Sequence, residues 1–235
     1  GFDGFRLDFV RGFQVPYVAS WIKNLPKVND NQRFIVAEYW TGHHYRLKDW
    51  INDNAKEGAT VTVFDFPLKN DLTRMCNNGQ YGYNMSWLNN AGMVRDAENS
   101  VSGLNVVTFL DNHDTGREPD KWVTKDMVMG YAYMLTHEGR PCVFYPHYFS
   151  VPQVHWNDTV KAPVSLKDDL DKLMFARRTY LGGVIKVLSQ SGNPYPADDT
   201  KHVYIARREG NGVKSGAIVV INNHENDTKG LWVNN

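Results

Sequence analysis

The order of segments constrains this chain more than any single residue does. Five apolar runs of strand length occur: "GFDGFRLDF" at 1–9, "RFIVAEYW" at 33–40, "TVTVFDFP" at 60–67, "LNVVTFLDNHD" at 104–114 and "RPCVFYPHYF" at 140–149. Between them the apolar residues recur at helical spacing, as Val15, Val18, Ile22 and Leu25 do after the first run. The later helical stretches are "YRLKDWINDN", "KNDLTRMC", "KDMVMGYAYMLTH" and the amphipathic "LKDDLDKLMFARRTYL", with a Gly/Asn-rich loop expected at "NNGQYGYN". Strict alternation of this kind predicts βαβ units and a parallel sheet, because parallel neighbours need a long crossover and antiparallel ones only a turn. Runs that are apolar throughout predict strands covered on both faces. A doubly wound sheet and a (β/α)8 barrel both satisfy the pattern. No glycine-rich phosphate fingerprint follows any strand, which counts against the nucleotide-binding sheet.

After residues 1–182 the rhythm changes. "GVIKVLSQ", "KHVYIARRE", "GAIVVINN" and "GLWVNN" are short alternating runs with Gly and Asn between them, so residues 183–235 are expected to form a small antiparallel β domain. The chain has no initiator Met and opens inside a strand-like run, so it is expected to begin in mid-domain.

Lys plus Arg and Asp plus Glu both number 26, so the charge gives no reason to expect nucleic acid or an anionic membrane surface as a partner. No apolar run approaches the roughly 20 residues that span a bilayer, and no signal-peptide pattern is visible. Cys76 and Cys142 lack metal-type spacing and stand either as free thiols or as one bridge. Asn84, Asn157 and Asn226 begin Asn-x-Ser/Thr sequons, a short pattern that carries weight only in a secreted eukaryotic protein.

The informative charges sit at the carboxyl ends of strands. The first ends in Arg6-Leu7-Asp8, the second in Glu38 and the fourth in Asp111-Asn112-His113-Asp114. In a parallel barrel all those ends open onto one face, so three acids far apart in sequence can converge. Residues two apart on a strand share a side, which pairs Arg6 with Asp8, and Asn112 with Asp114 if extended geometry persists. Each acid alone has a plain structural reading as an ion pair, a solvated loop end or a helix cap. Jointly they suggest a division of labour. Arg6 keeps Asp8 ionised, while the apolar and aromatic neighbours of Glu38 raise its proton affinity. Such a nucleophile and acid suit glycosidic cleavage with retention.

Three of these segments, "GFDGFRLD", "FIVAEYW" and "FLDNHD", resemble signature regions of the α-amylase family of glycoside hydrolases. They stand in the family's order, on the strands it labels four, five and seven. "VFDFPL" resembles its sixth strand, and "YAYMLTHEGRPCVFY" the helix leading into its eighth. The resemblance implies α/β architecture: strands 4–8 of a (β/α)8 TIM barrel over 1–182, then the family's antiparallel C-terminal domain from 183. By the same resemblance Asp8 matches the nucleophile, Glu38 the general acid/base and Asp114 the third acid. Arg6 matches the arginine that holds the nucleophile, and His113 the histidine that bonds the sugar. Trp40 fits an aromatic position beside the aglycone subsites, and Arg11 a basic position on the leaving-group side. Gly12 matches a carbonyl that helps bind structural calcium. Arg6 and Asn112 also match two chloride ligands of one subgroup, without an identifiable third.

The implied activity is hydrolysis of internal α-1,4 bonds of starch or glycogen by a secreted enzyme. A glucanotransferase or maltooligosaccharide-forming enzyme is the alternative within the family, and a non-catalytic carbohydrate-binding relative the alternative outside it. The family's earlier signature region and calcium-binding loop domain have no match in the chain. The remaining strands are therefore expected in a further portion of the same protein.

Overall fold

The computed structural model describes residues 2–118, 120–154, 160–161, 165–190 and 200–226. Strand β1 (Gly4–Leu7) leads through a 3-10 turn at Val10–Gly12 into α1 (Val15–Lys23), followed by β2 (Phe34–Ala37), α2 (His44–Lys56), β3 (Thr62–Phe64) and α3 (Phe66–Gly82). A 3-10 segment at Met85–Asn90 and the short α4 (Gly92–Arg95) precede β4 (Val106–Phe109), α5 (Met127–Thr136) and β5 (Arg140–Cys142). Five parallel strands lie in sequence order, β1-β2-β3-β4-β5, with Arg6 beside Val36, Val36 beside Thr62, Val63 beside Val106 and Thr108 beside Pro141. The βαβ expectation holds for every one of the five runs. Pro141 sits in β5, an edge strand of this sheet as described, where the missing amide costs the ladder least.

The strands are shorter than their apolar runs, and the last run divides. After β5 the chain turns into α6 (Tyr145–Phe149), where an extended segment was expected, because Pro146 fits a helix's first turn and has no amide for a ladder. The expected loop at "NNGQYGYN" is largely helix: α3 runs on to Gly82 across a kink at Gly79, whose φ of 52° suits glycine. α3 begins at Asp65, whose Oδ1 accepts the Leu68 amide at 2.9 Å while Oδ2 accepts that of Met93 at 2.9 Å. Burial pushes this carboxyl up to about 6 despite the two donors. Asn84 likewise caps its own 3-10 segment, accepting from Ser86 N at 3.0 Å.

Beyond α6 come a β6 (Gln153–Val154) and β7 (Val160–Lys161) ribbon and α7 (Lys167–Thr179), with Asp168 and Asp169 in its first turn and Arg177 and Arg178 in its last, matching the helix dipole. The antiparallel module is β8 (Ile185–Val187), β9 (Val203–Arg208) and β10 (Ala217–Asn222), ordered β10-β9-β8. The run "GLWVNN" and Asn157 lie outside the described residues.

One apolar cluster joins β2 and β3 to α1 and α2 through Ile22, Ile35, Leu47, Trp50 and Val63. Another joins α3, α5 and α7 to the antiparallel sheet through Leu72, Met75, Tyr131, Met134 and Tyr204. Gly130 makes this possible, since a Cβ there would stand 2.7 Å from Leu110 Cδ1 and 2.9 Å from Cys76 Sγ. The seam between α5 and β9 is polar at its centre: His137 Nε2 meets the Tyr204 hydroxyl at 2.8 Å and its ring stacks on Tyr133 at 3.8 Å. Cys76 is a buried free thiol pushed up to about 12 by that burial, and Cys142 is free and exposed, so the two form no bridge. Among the described residues no helix is long and apolar enough to cross a membrane.

Candidate active site

Parallel register brings the ends of β1 and β2 level, with the Glu38 amide donating to Leu7 O at 2.9 Å. Asp8 and Glu38 therefore leave the sheet side by side. Arg6 lies between them: its Nη1 reaches Asp8 Oδ1 at 2.7 Å and its Nη2 reaches Glu38 Oε1 at 2.9 Å. A planar guanidinium serves two carboxylates where an ammonium would favour one, and its charge offsets their mutual repulsion. The sequence paired Arg6 with Asp8 alone. The structure adds Glu38, which the fold supplies from 32 positions away.

The two acids differ in solvent access as expected. The Asp8 side chain is 72% exposed and that of Glu38 9%. Glu38 is fixed further by Phe9, whose amide donates to Oε2 at 3.2 Å. Phe9 adopts φ 44° and ψ 46°, a left-handed conformation that is costly for a bulky residue and therefore held by its surroundings. Nothing in its sequence neighbourhood marks it. A cleft of about 360 Å³ beside Asp8 is lined by Phe5, Phe13, Tyr17 and Trp21.

Arg11 and Trp40 brace this corner. Arg11 Nη1 donates to Trp40 O at 2.9 Å and its guanidinium lies 5.9 Å from the Tyr39 ring centre. The Trp40 indole stacks on Phe66 at 4.9 Å with Lys121 Nζ 5.8 Å from its centre. A second cavity of about 250 Å³ opens there between Trp40, Asn70, Thr73, Asp120 and Lys121. Gly12 donates its amide to Phe9 O at 2.9 Å, and a Cβ on it would strike the Phe9 ring at 2.8 Å.

Beyond β4 the backbone does not stay extended. Asn112 Oδ1 accepts the amides of Asp114 at 3.0 Å and Thr115 at 2.8 Å, and Asp114 sits in the right-handed helical region. Asn112 and Asp114 are thus parts of a tight turn. His113 Nε2 lies 3.4 Å from Asp114 Oδ2, both at least partly exposed. Asp114 belongs to the same carboxyl edge of the sheet, but among the described residues no hydrogen bond or ion pair joins it to Asp8 or Glu38.

Beneath that turn lies a group the sequence did not reveal. Asp111, buried, takes Lys69 Nζ at 3.0 Å and Thr115 Oγ1 at 3.1 Å on Oδ1, while Oδ2 takes the Val123 amide at 3.1 Å and faces His147 Nε2 at 3.6 Å. His147 Nδ1 in turn meets the Tyr131 hydroxyl at 2.9 Å. Lys69 is also buried, and burial lowers its proton affinity while Asp111 raises it.

No protein-family model matches the chain. It is 34% identical over 185 residues to an alpha-amylase of Geobacillus stearothermophilus, across 77% of this chain and 31% of that protein. It is 30% identical over 241 residues to "Probable alpha-amylase 2" of Arabidopsis thaliana, across 92% of this chain and 51% of the relative. The chain belongs to the α-amylase family. A crystal structure of an Anoxybacillus alpha-amylase superposes with TM-score 0.65 at 20% identity, over 94% of this chain and 48% of that one. Its likeness makes the five βα units a partial (β/α)8 barrel followed by a C-terminal antiparallel sheet. The chain spans about a third of the first of these two relatives and about half of the second.

Family members bind calcium, which takes six to eight oxygen ligands. Among the described residues no three His, Cys, Asp or Glu side chains are grouped to hold a metal. Of the two residues matched to chloride, Arg6 is engaged by two carboxylates, while the Asn112 carbonyl oxygen is taken up by its own turn and only its side-chain amide N–H could face an anion.

Proposed function

We propose that the protein carrying this chain is a retaining α-amylase that hydrolyses internal α-1,4-glucosidic bonds of starch or glycogen-type glucans. The observation that carries the reading is the single guanidinium of Arg6 bonded to Asp8 at 2.7 Å and to Glu38 at 2.9 Å. Two carboxylates sharing one guanidinium are consistent with the short carboxyl separation, roughly 5–5.5 Å, that a double displacement uses. Asp8, the more open of the two, attacks the anomeric carbon as the leaving oxygen takes a proton from Glu38. Glu38, now a carboxylate, draws a proton from water, and that water releases the sugar from Asp8.

In this reading Arg6 keeps the attacking carboxylate charged and oriented, and Asp114 and His113 bind the hydroxyls of the reacting sugar as its ring flattens. Arg11 and Trp40 shape the leaving-group side. Residues 1–182 form the catalytic part and 183–235 the C-terminal domain. The protein's remaining portion completes the barrel and supplies most of the calcium ligands together with the Gly12 carbonyl. Secretion accompanies a polymeric substrate.

The test is starch hydrolysis by the full-length protein against its Asp8→Asn variant, with the anomeric form of the first product followed by NMR. Activity is expected to fall by several orders of magnitude in the variant, and the α-anomer to appear first in the wild type. Undiminished activity in Asp8→Asn, or initial β-anomer, would sink the assignment. Chromatography of the starch products separates hydrolysis from transfer to another sugar.

A further inference from the structure

The buried group around Asp111 does more than fill space under the sheet. The chain leaves β4 at Asp111, makes the turn that carries His113 and Asp114, and returns through Lys121 and Val123. Both ends of this excursion meet the same carboxylate. Thr115 Oγ1 and the Val123 amide bond to Asp111, and the Lys69 ammonium joins Asp111 to the Lys121 carbonyl. Lys69 is itself held on α3 by Thr73 Oγ1 at 2.6 Å. From the opposite side His147 on α6 faces Asp111 Oδ2, its ring set by Tyr131 on α5. Side chains from two helices, Lys69 on α3 and His147 on α6, thus face one carboxylate, with α5 setting the His147 ring, and that carboxylate anchors the start and end of the turn.

We propose that Lys69 and His147 are positioning residues that, by clamping Asp111, hold the turn bearing His113 and Asp114 in its catalytic setting. The proposal rests on the reading that Asp114 acts on the reacting sugar. Lys69 acts through Asp111 and through its own bond to the Lys121 carbonyl, and His147 acts through Asp111. A displacement of about 1 Å in a transition-state contact costs on the order of 100-fold in rate, so loosening the clamp lowers kcat more than it raises KM.

The experiment compares the full-length protein with Lys69→Met and His147→Gln by amide hydrogen exchange without substrate and by starch kinetics. In both variants exchange at residues 112–117 is expected to rise about tenfold or more, with β8–β10 unchanged. In both, kcat should fall roughly 10–100-fold while KM stays within about threefold. Should Lys69→Met fail to fold, His147→Gln, which keeps a polar side chain in place, carries the test. Wild-type kcat alongside faster loop exchange overturns the proposal, as does unchanged loop exchange. So does a loss of kcat accompanied by faster exchange across the whole molecule. An inactive wild-type protein overturns the amylase reading instead, and the exchange data still judge the clamp separately.

Discussion

Asp8 and Asp111 each stand just beyond a parallel strand with a cation at hydrogen-bonding distance, yet they behave as opposites. Asp8 is 72% exposed and leans on Arg6, itself about one-third exposed, whereas Asp111 and Lys69 are 0% and 3% exposed. The first pair lies in water, where an attacking group can be reached. The second is shut away, where a charge is tolerable only with its partner present. A carboxylate beside a cation is therefore no sign of function by itself; access decides which of the two a substrate can reach.

The widest gap between the pairs is in stability. Asp111→Ala leaves the Lys69 ammonium buried without its carboxylate, and should destabilise by about 3–5 kcal/mol. Replacing both partners, with Lys69→Met and Asp111→Leu together, removes the orphaned charge but leaves the Thr115 hydroxyl and the Val123 amide without this acceptor, so it is expected to recover only part of that loss. Asp8→Ala exposes nothing new and should stay within about 1 kcal/mol of wild type. Urea unfolding of the four proteins checks this. Equal midpoints for Asp111→Ala and Asp8→Ala would break the distinction.

A third group, also buried, sharpens the comparison, because the partners described for its ring are a carbonyl and two hydroxyls rather than a carboxylate. His137 lies fully buried at the seam between α5 and β9; burial, then the charge of Arg95 and those of Arg208 and Arg177, lower it from 6.5 to about 3, against the raising effect of its hydrogen bond to Tyr133 O. A folded-state value below the unfolded one means that the neutral form is favoured by folding. The stability involved is full above about 6.5 and is lost as pH falls from 6.5 toward 3. Between pH 7 and pH 5 the loss from this residue is about 2 kcal/mol. Asp65 and Asp71, both raised by burial to about 6, work in the other direction, since their share is full below about 3.8 and is lost as pH rises through 6. Measuring unfolding midpoints at both pH values in wild type and His137→Gln isolates the histidine. Relative to wild type, the variant's stability should shift upward at pH 5 compared with pH 7, and an identical pH dependence in the two proteins would place the titration elsewhere.

The sequence carried the frame of this molecule because its strands and helices are marked by local apolar periods, and the acids at strand ends follow from that frame. It carried less about partners drawn from afar. Lys69 sits in a polar-looking segment, "KNDLTRMC", and nothing beside it announces a carboxylate 42 positions on. Arg6 was legible as the neighbour of Asp8, two residues away, but its second carboxylate arrives only through the register of β1 with β2. The turn at Asn112 to Asp114 reversed an extended expectation because the Asn112 side chain competes for the backbone amides that a strand would have used. Phe9 gave no signal at all, since a left-handed backbone is expected of glycine or asparagine rather than of an aromatic residue.

The smallest effect separates the two arms of Arg6. One guanidinium serves an exposed carboxylate and a buried one, so its contribution to folding should pass almost wholly through Glu38. Double-mutant cycles measure this directly. Coupling between Arg6→Ala and Asp8→Asn is expected at about 0.5 kcal/mol or less, as for other exposed ion pairs. Coupling between Arg6→Ala and Glu38→Gln should reach about 1–2 kcal/mol, since a charged hydrogen bond is lost where little water can replace it. Equal couplings would mean that Asp8 is as sheltered in solution as Glu38, and the contrast between the proposed nucleophile and the proposed proton donor would then have to come from substrate binding. Unequal couplings would show that one side chain stabilises the site through one carboxylate and orients the chemistry through the other.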